Sequence, residues 1–501
     1  MADEQPRRSH MHLRRRYRAI LSYTGMILLL CAGLMLVPAV VGLLWPHELR
    51  LALGFVLPAM ALAAVGFALW RGFRLQEPTA LTTHQGAVIV VLSWLIACIA
   101  GALPFMLVEG LDFTHSLFES VSGWTTTGLS VVDVTEAARM TLLWRSLMQL
   151  AGGAGLAIIM LASITGPAGI GLPSAEGRSE QLVPHVRASL KVVLTLYAGY
   201  MIIGVLGYWI AGMAAFDAVN HSFAAVSTGG FSTHPDSIGA WNEIRVEAVT
   251  IPLMLLGSLN YLTAWALVRR RFQVAFRNGE LKLIALLIPI AAILLHAVVA
   301  APLYRGNQGV RVAIFETVSA LSTTGFATVS YVEWGGFGVM LLILLMIVGG
   351  GAGSTSGGMK QYRIYVLAKS LIWQIQEALL PPTAVVERFI WHGEHKDFID
   401  DQRVRVIGNY LFLYLATVLI ATLVISSCGF SIGDALFEAA SMTGTVGLSV
   451  GVIGYGVTPT VLWTAIVTML LGRLEFFVIF TGLLKLGIDG RKMFLSRRRS
   501  E

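Results

Sequence analysis

Charge is scarce in this chain. Of its 501 residues only 13% are Asp, Glu, Lys or Arg, whereas 56% are hydrophobic; a soluble domain carries about 25% charged residues. A surface so poor in charge argues against a soluble enzyme and against a nucleic-acid-binding protein. Cysteine is scarcer still: Cys31, Cys98 and Cys428 each lie in an apolar run, without disulfide or metal spacing, and read as small packing residues. No His/Cys/carboxylate cluster has metal-ligand spacing, and no nucleophile–base pair stands out. The glycine-rich stretch ending Gly353-x-x-x-x-Gly358 is followed by Met359 before Lys360, so it misses the phosphate-loop pattern. It also follows an apolar run rather than a strand, which removes the dinucleotide fingerprint. Neither enzymatic chemistry nor a bound cofactor is expected.

What the chain has in abundance is apolar length. Runs long enough to cross a bilayer, about 20 residues each, fall at 20–44, 50–70, 86–107, 141–165, 189–212, 247–268, 281–301, 336–374, 406–428 and 461–486. Glycine is enriched, 52 residues against a usual share of about 7%, as expected where membrane helices pack closely or the backbone leaves the helix. The 336–374 run is interrupted by Gly349, Gly350, Gly351, Gly353, Gly357 and Gly358, and the 141–165 run carries Gly152, Gly153 and Gly155. Non-helical backbone at membrane depth is tolerated only inside protein or beside a water-filled cavity. The net charge of +7 comes from basic residues between the runs. Arg71 and Arg74, Arg178 to Lys191, Arg269 to Arg277, Lys396 to Arg405 and Arg491 to Arg499 alternate with acidic loops holding Glu109, Asp133, Asp236, Glu333 and Asp434. Positive charge marks the cytoplasmic side. Ten spans with both termini inside satisfy every loop, and the lipid bilayer rather than nucleic acid is the expected partner of this basicity.

Four segments between spans resemble one another. Phe118-Glu-Ser-Val-Ser leads to Gly128, Phe315-Glu-Thr-Val-Ser to Gly325, and Phe437-Glu-Ala-Ala-Ser to Gly447; a looser copy runs from Asn220 to Gly230. In each the glycine lies 10 residues after the first position, a register that ordinary surface turns would seldom keep. The expected fold is an all-α polytopic membrane protein of four span–pore loop–span repeats around a central pore, preceded by two extra transmembrane helices. The chain divides into an N-terminus with two leading spans (1–80), repeats at 81–170, 185–270, 280–375 and 403–490, and a basic tail (491–501). Each short pore helix would end in an extended Thr/Gly stretch. Four such stretches make a ring of backbone oxygens that can replace the hydration shell of a monovalent cation. The acid after the phenylalanine, Glu119, Glu316 or Glu438, is expected to complete a helix cap in preference to attracting cations; His221 takes its place in the second copy. A secondary transporter with inverted repeats is the competing reading, but four loops on one side, running in one direction, favour a single pore. Sodium or proton coupling stays open.

Together these stretches resemble the Trk/Ktr/HKT superfamily of potassium transporters, most closely its TrkH-type membrane subunit. The motifs are Ser122-Gly-Trp-Thr-Thr-Thr-Gly128, Ser227-Thr-Gly-Gly-Phe-Ser-Thr233, Ser322-Thr-Thr-Gly-Phe326, Val446-Gly-Leu-Ser449, Gly350 to Lys360, and Met469-Leu-Leu-Gly-Arg-Leu-Glu475. The resemblance runs from about residue 80 onward, and the two leading spans suit the TrkH type. It implies potassium uptake across the cell inner membrane. The ion would be held at Thr126 and Thr127, Thr228 and Gly229, Thr323 and Thr324, and Thr445 and Val446, each pair preceding a filter glycine (Gly128, Gly230, Gly325, Gly447). Glycine at all four filter positions implies potassium in preference to sodium. The interrupted span would be an intramembrane gating loop, with Arg473 projecting toward the same constriction and Glu475 as its partial partner; Lys360 would mark the loop's inner end. The resemblance further implies a homodimer and a peripheral cytoplasmic nucleotide-binding subunit of the TrkA type. The basic loops Arg269–Arg271 and Lys396–Arg405 would suit that partner or anionic lipid headgroups.

Overall fold

Backbone polar groups in a bilayer have no water to pair with, so apolar runs there close their hydrogen bonds internally as helices. The computed structural model describes residues 4–73, 83–155, 186–381, 386–392 and 395–498. Residues 156–165 of the expected fourth span, and Arg74, Arg178 and Arg499 of the basic loops, lie outside them. Two leading helices, α1 (Glu4–Val41) and α2 (Leu53–Gly72), are joined by short 3-10 turns. Glu48 in that connection accepts hydrogen bonds from the backbone N–H groups of Arg139 and Met140 (3.3 and 3.4 Å), fastening the leading pair to the first repeat.

Each repeat then has the same three parts. A long leading helix comes first: α3 (Thr83–Val108), α6 (Val186–Ile210), α11 (Gly279–Leu295) and α15 (Asp401–Ser427). A short pore helix follows: α4 (Phe113–Trp124), α7 (Ala215–Val226), α12 (Asn307–Ser322) and α16 (Ile432–Gly444). After the Thr/Gly stretch comes a closing helix: α5 (Arg139–Ala154), α8 (Ile244–Ser258), α13 (Gly336–Val348) and α17 (Pro459–Leu474). At 1.5 Å per residue, pore helices of 12 to 16 residues reach only about 18–24 Å, short of a hydrocarbon core of about 30 Å. Every closing helix packs on the pore helix of the next repeat: α5 on α7, α8 on α12, α13 on α16, and α17 back on α4. The repeats therefore close into a ring.

Among the described residues, six helices are individually long and apolar enough to span a membrane, Gly279–Leu303 with its π-helical turn included. Two expected continuous spans are instead sharply bent. The 247–268 run breaks between α8 and α9 (Tyr261–Val268) by 119°, and the 461–486 run breaks between α17 and α18 (Phe476–Arg498) by 102°. The causes are local: Leu259 is extended and the Asn260 side chain caps a new helix through Leu262 N–H, while Glu475 sits at φ +63°. The 336–374 run breaks as expected, α13 ending at Val348 and α14 (Gln361–Leu379) beginning past the glycine-rich loop. A two-stranded hairpin, β1 (Phe389–His392) against β2 (His395–Phe398), is the one addition to the helical expectation among the described residues. Around it Lys396 pairs with Glu387 and Arg403 with Asp397, so much of this basic loop is neutralised. Arg388 bridges Glu377 and Asp401, and its hydrogen bond holds the Glu377 carboxyl below its usual range. Arg269, Arg270 and Arg271 remain exposed.

Candidate functional site

The four pore helices end alike. The N–H of Thr127, Gly229, Thr324 and Val446 reaches back to the carbonyl five residues earlier (2.9, 2.8, 3.1 and 2.9 Å), and the N–H of the preceding threonine bonds to the carbonyl three residues earlier. This is the left-handed helix ending usually given to glycine. Here each left-handed position is threonine: Thr126, Thr228, Thr323 and Thr445 have φ of 55°, 51°, 56° and 48°. A non-glycine residue in that conformation costs roughly 1–2 kcal/mol, so four in one register mark a constraint beyond helix termination. All four are fully buried. The hydroxyls of Thr126 and Thr445 have no partner among the described residues, whereas Thr228 bonds Thr355 and Thr323 accepts from the N–H of Gly357.

The glycines that follow show why no side chain is tolerated. A Cβ on Gly128 would run into the carbonyl oxygen of Gly229, on Gly230 into that of Thr324, on Gly325 into that of Val446, and on Gly447 into that of Thr127. The corresponding carbonyl carbons would lie 3.3, 3.2, 2.8 and 3.1 Å away. Each segment's glycine thus abuts the carbonyl before the next segment's glycine, and the fourth returns to the first. The residues expected from the four-fold repeat are brought together as one closed ring. Above it opens a cavity of about 690 Å³ with all four glycines in its wall, flanked by Asp133, Asp236, Arg145 and Tyr331.

The repeated acid does not complete a cap. Asp112 and Ser431 cap α4 and α16; Glu119, Glu316 and Glu438 sit past the first turn and turn toward the chain leaving the filter. Glu119 accepts from Ser130 Oγ and Val131 N–H (both 2.9 Å) and pairs with Arg145 (2.7 Å). Glu316 accepts from Thr328 N–H and Oγ1 and from the Tyr331 hydroxyl, and Glu438 from Ser449 Oγ and Val450 N–H. His221 does the same work through Ser232 Oγ (2.9 Å). The acid therefore straps the descending segment to its pore helix. Its sequence signal is a hydroxyl residue 11 or 12 positions later.

On the face of the ring away from the cavity, the loop between α13 and α14 lies directly beneath it. Its neck is closed by Gln361, whose side chain donates to Gly349 O (2.9 Å) and whose N–H donates to Gly350 O (2.8 Å). Thr355 donates to Gly257 O, Ser356 to Ser322 O, and a Cβ on Gly357 would strike Thr445 and Gly444. Gly353 and Gly358 take φ of 68° and 76°. Arg473 donates to Thr355 O (2.6 Å) and Gly152 O (2.7 Å), joining the loop to the end of α5. The loop and this arginine together touch all four repeats below the filter. Arg473 lies at the end of α17 rather than midway along a straight span, and Glu475 pairs with Arg363 (2.7 Å). Lys360, at φ 75°, precedes α14 at the loop's inner end. Arg145, Gln149 and Gln361 were not singled out from sequence. Their partners lie 26, 80 and 12 residues away, and no local pattern announces such pairs.

The sequence profile of the TrkH family, described as cation transport protein, matches residues 55–486. The Trk system potassium uptake protein TrkH of Escherichia coli K12 is 31% identical over 487 residues, covering 93% of this chain and 98% of its own. An uncharacterized cation transporter of Methanocaldococcus jannaschii is 28% identical, covering 92% of this chain and 94% of its own. The crystal structure of the potassium transporter TrkH from Vibrio parahaemolyticus superposes with a TM-score of 0.80 at 27% identity, covering 94% of this chain and 98% of its own.

Proposed function

This chain belongs to the TrkH cation transport protein family, and from that premise we propose that it takes up potassium through a channel-like pore. The observation that carries the reading is the closed ring in which each filter glycine abuts the carbonyl preceding the next. A monovalent cation sheds its water only if oxygens replace it at comparable energy. The carbonyls of Thr127, Gly229, Thr324 and Val446 supply one such layer. The buried threonine hydroxyls beneath them offer a second, with Thr126 and Thr445 still unpartnered among the described residues. Beneath that, the Gly349–Gly358 loop acts as the gate and Arg473 as a fixed positive charge beside it. Selection and closure are then separate devices on one axis.

The exposed arginines Arg269–Arg271 support an inner-membrane orientation with both termini in the cytoplasm, by the positive-inside rule. They would also suit a cytoplasmic nucleotide-binding partner acting on a homodimer, if its docking face carries negative charge. The test is uptake into liposomes holding the purified protein, with potassium or sodium outside and proton and sodium gradients imposed in turn. Potassium entry favoured over sodium and independent of either gradient is the expected result. Equal entry of both ions would remove the filter reading, and entry that follows an imposed gradient would make the protein a coupled carrier.

A further inference from the structure

The second filter occupies the same ring as the others and keeps a strap through His221, but it lacks their serine brace. Where repeats one, three and four place Phe, Glu and Ser, repeat two has Asn220, His221 and Ala224. The serine is the most consequential loss. Ser122 donates to Leu129 O (2.6 Å) and accepts from Gly128 N–H (3.1 Å), Ser319 donates to Phe326 O (2.5 Å), and Ser441 accepts from Gly447 N–H (3.0 Å). Ala224 can do neither. The segment it leaves unsupported contains Gly229 and Gly230 in succession, the backbone with the greatest conformational freedom.

Support comes from the neighbouring repeat. Gln149 on α5 donates through Nε2 to Gly229 O (2.6 Å) and accepts at Oε1 from Phe231 N–H (3.2 Å), so one side chain holds the filter on both sides of Gly230. One turn earlier, Ser146 donates to Asn220 Oδ1 (2.7 Å), and Arg145 donates to Ser232 O (3.0 Å) with its guanidinium 4.0 Å from the Phe231 ring centroid. Gln149 is fully buried. A Cβ on Gly229 would meet the Gln149 side chain, with Oε1 at 2.6 Å and Nε2 at 2.8 Å. The position before the filter glycine is Thr127, Thr324 and Val446 in the other copies; here it is glycine, and the glutamine fills the vacated space.

We propose that Gln149 is a positioning residue for the second filter and a determinant of ion discrimination, replacing from the first repeat the serine brace that Ala224 lacks. The inference rests on the reading of the ring as a cation filter. By fixing the Gly229 carbonyl, the amide sets how closely that oxygen can follow an ion of a given radius. Without it, the two glycines relax and the ring accommodates the smaller ion as well.

The test compares the full-length protein with Gln149→Leu in liposomes, reading the potassium-to-sodium uptake ratio and the melting temperature in potassium and in sodium. The expected result is a ratio lower by about tenfold, the worth of roughly one hydrogen bond at a buried group, and loss of any extra thermal stability that potassium gives over sodium. An unchanged ratio, with melting lowered equally in both salts, would make Gln149 a packing residue and overturn the inference. Should Gln149→Leu fail to insert, Gln149→Met, unbranched and of similar length, carries the same expectation. The unmodified protein reports on the underlying reading separately: if it does not favour potassium, that reading fails whatever the variants do.

Discussion

The ring carries four copies of one construction, whereas among the described residues the face away from the cavity is covered by one loop from the third repeat and one arginine from the fourth. On the proposed function, discrimination between ions of one charge needs several oxygens held at one distance, and repetition of a short backbone motif would supply them. Obstruction needs no symmetry, because one segment across the axis suffices. The two regions also differ in what holds them. The first, third and fourth segments of the ring are fixed by straps such as Glu119 to Val131, Glu316 to Thr328 and Glu438 to Val450, side chains meeting main chain within the same repeat. The loop is held by hydroxyl and N–H contacts to three different closing or pore helices, bonds that can be exchanged without unfolding any helix.

The sharpest way to break this contrast is at the ring. Gly128→Ser places a Cβ against the Gly229 carbonyl at a φ of 94°, a conformation that costs a side-chain-bearing residue roughly 1–3 kcal/mol. The expected outcome is a potassium-to-sodium uptake ratio lower by tenfold or more in a protein that still inserts. An unaltered ratio would take Gly128 out of the selecting layer. Next in size is shortening of Gly351–Ser356, which removes the bonds to Gly257 O and Ser322 O. Basal flux in vesicles should rise severalfold and lose its dependence on any cytoplasmic partner while the ratio stays constant. Partner control surviving in a folded deletion would leave the glycines as packing residues. The smallest expected effect is Arg473→Ala. A like charge about 4 Å from a cation, at an effective dielectric near 20, costs it about 4 kcal/mol, but the Thr355 and Gly152 carbonyls already offset part of that field. Flux should rise by less than with the deletion and become less steep in ion concentration. Silence in transport combined with a lower melting temperature would make the arginine a strut.

Sequence alone determined the features encoded by local backbone preference. A glycine recurring 10 residues after Phe or Asn announced four like segments, and six glycines between 349 and 358 announced a break in a run; the structure has both. Each is a short-range pattern, because backbone torsion and hydropathy are properties of neighbouring residues. Only the tertiary structure decided the rest. That Glu119, Glu316 and Glu438 strap the descending chain rather than cap a helix, that the spans bend at Asn260 and Glu475, that Glu475 pairs with Arg363, and that Gln149 reaches Gly229 all depend on partners brought together by folding. A buried polar side chain must find a partner somewhere, but its own sequence neighbourhood does not say where. Thr355 and Arg473 are 118 residues apart, and only closure of the four-repeat ring makes them adjacent.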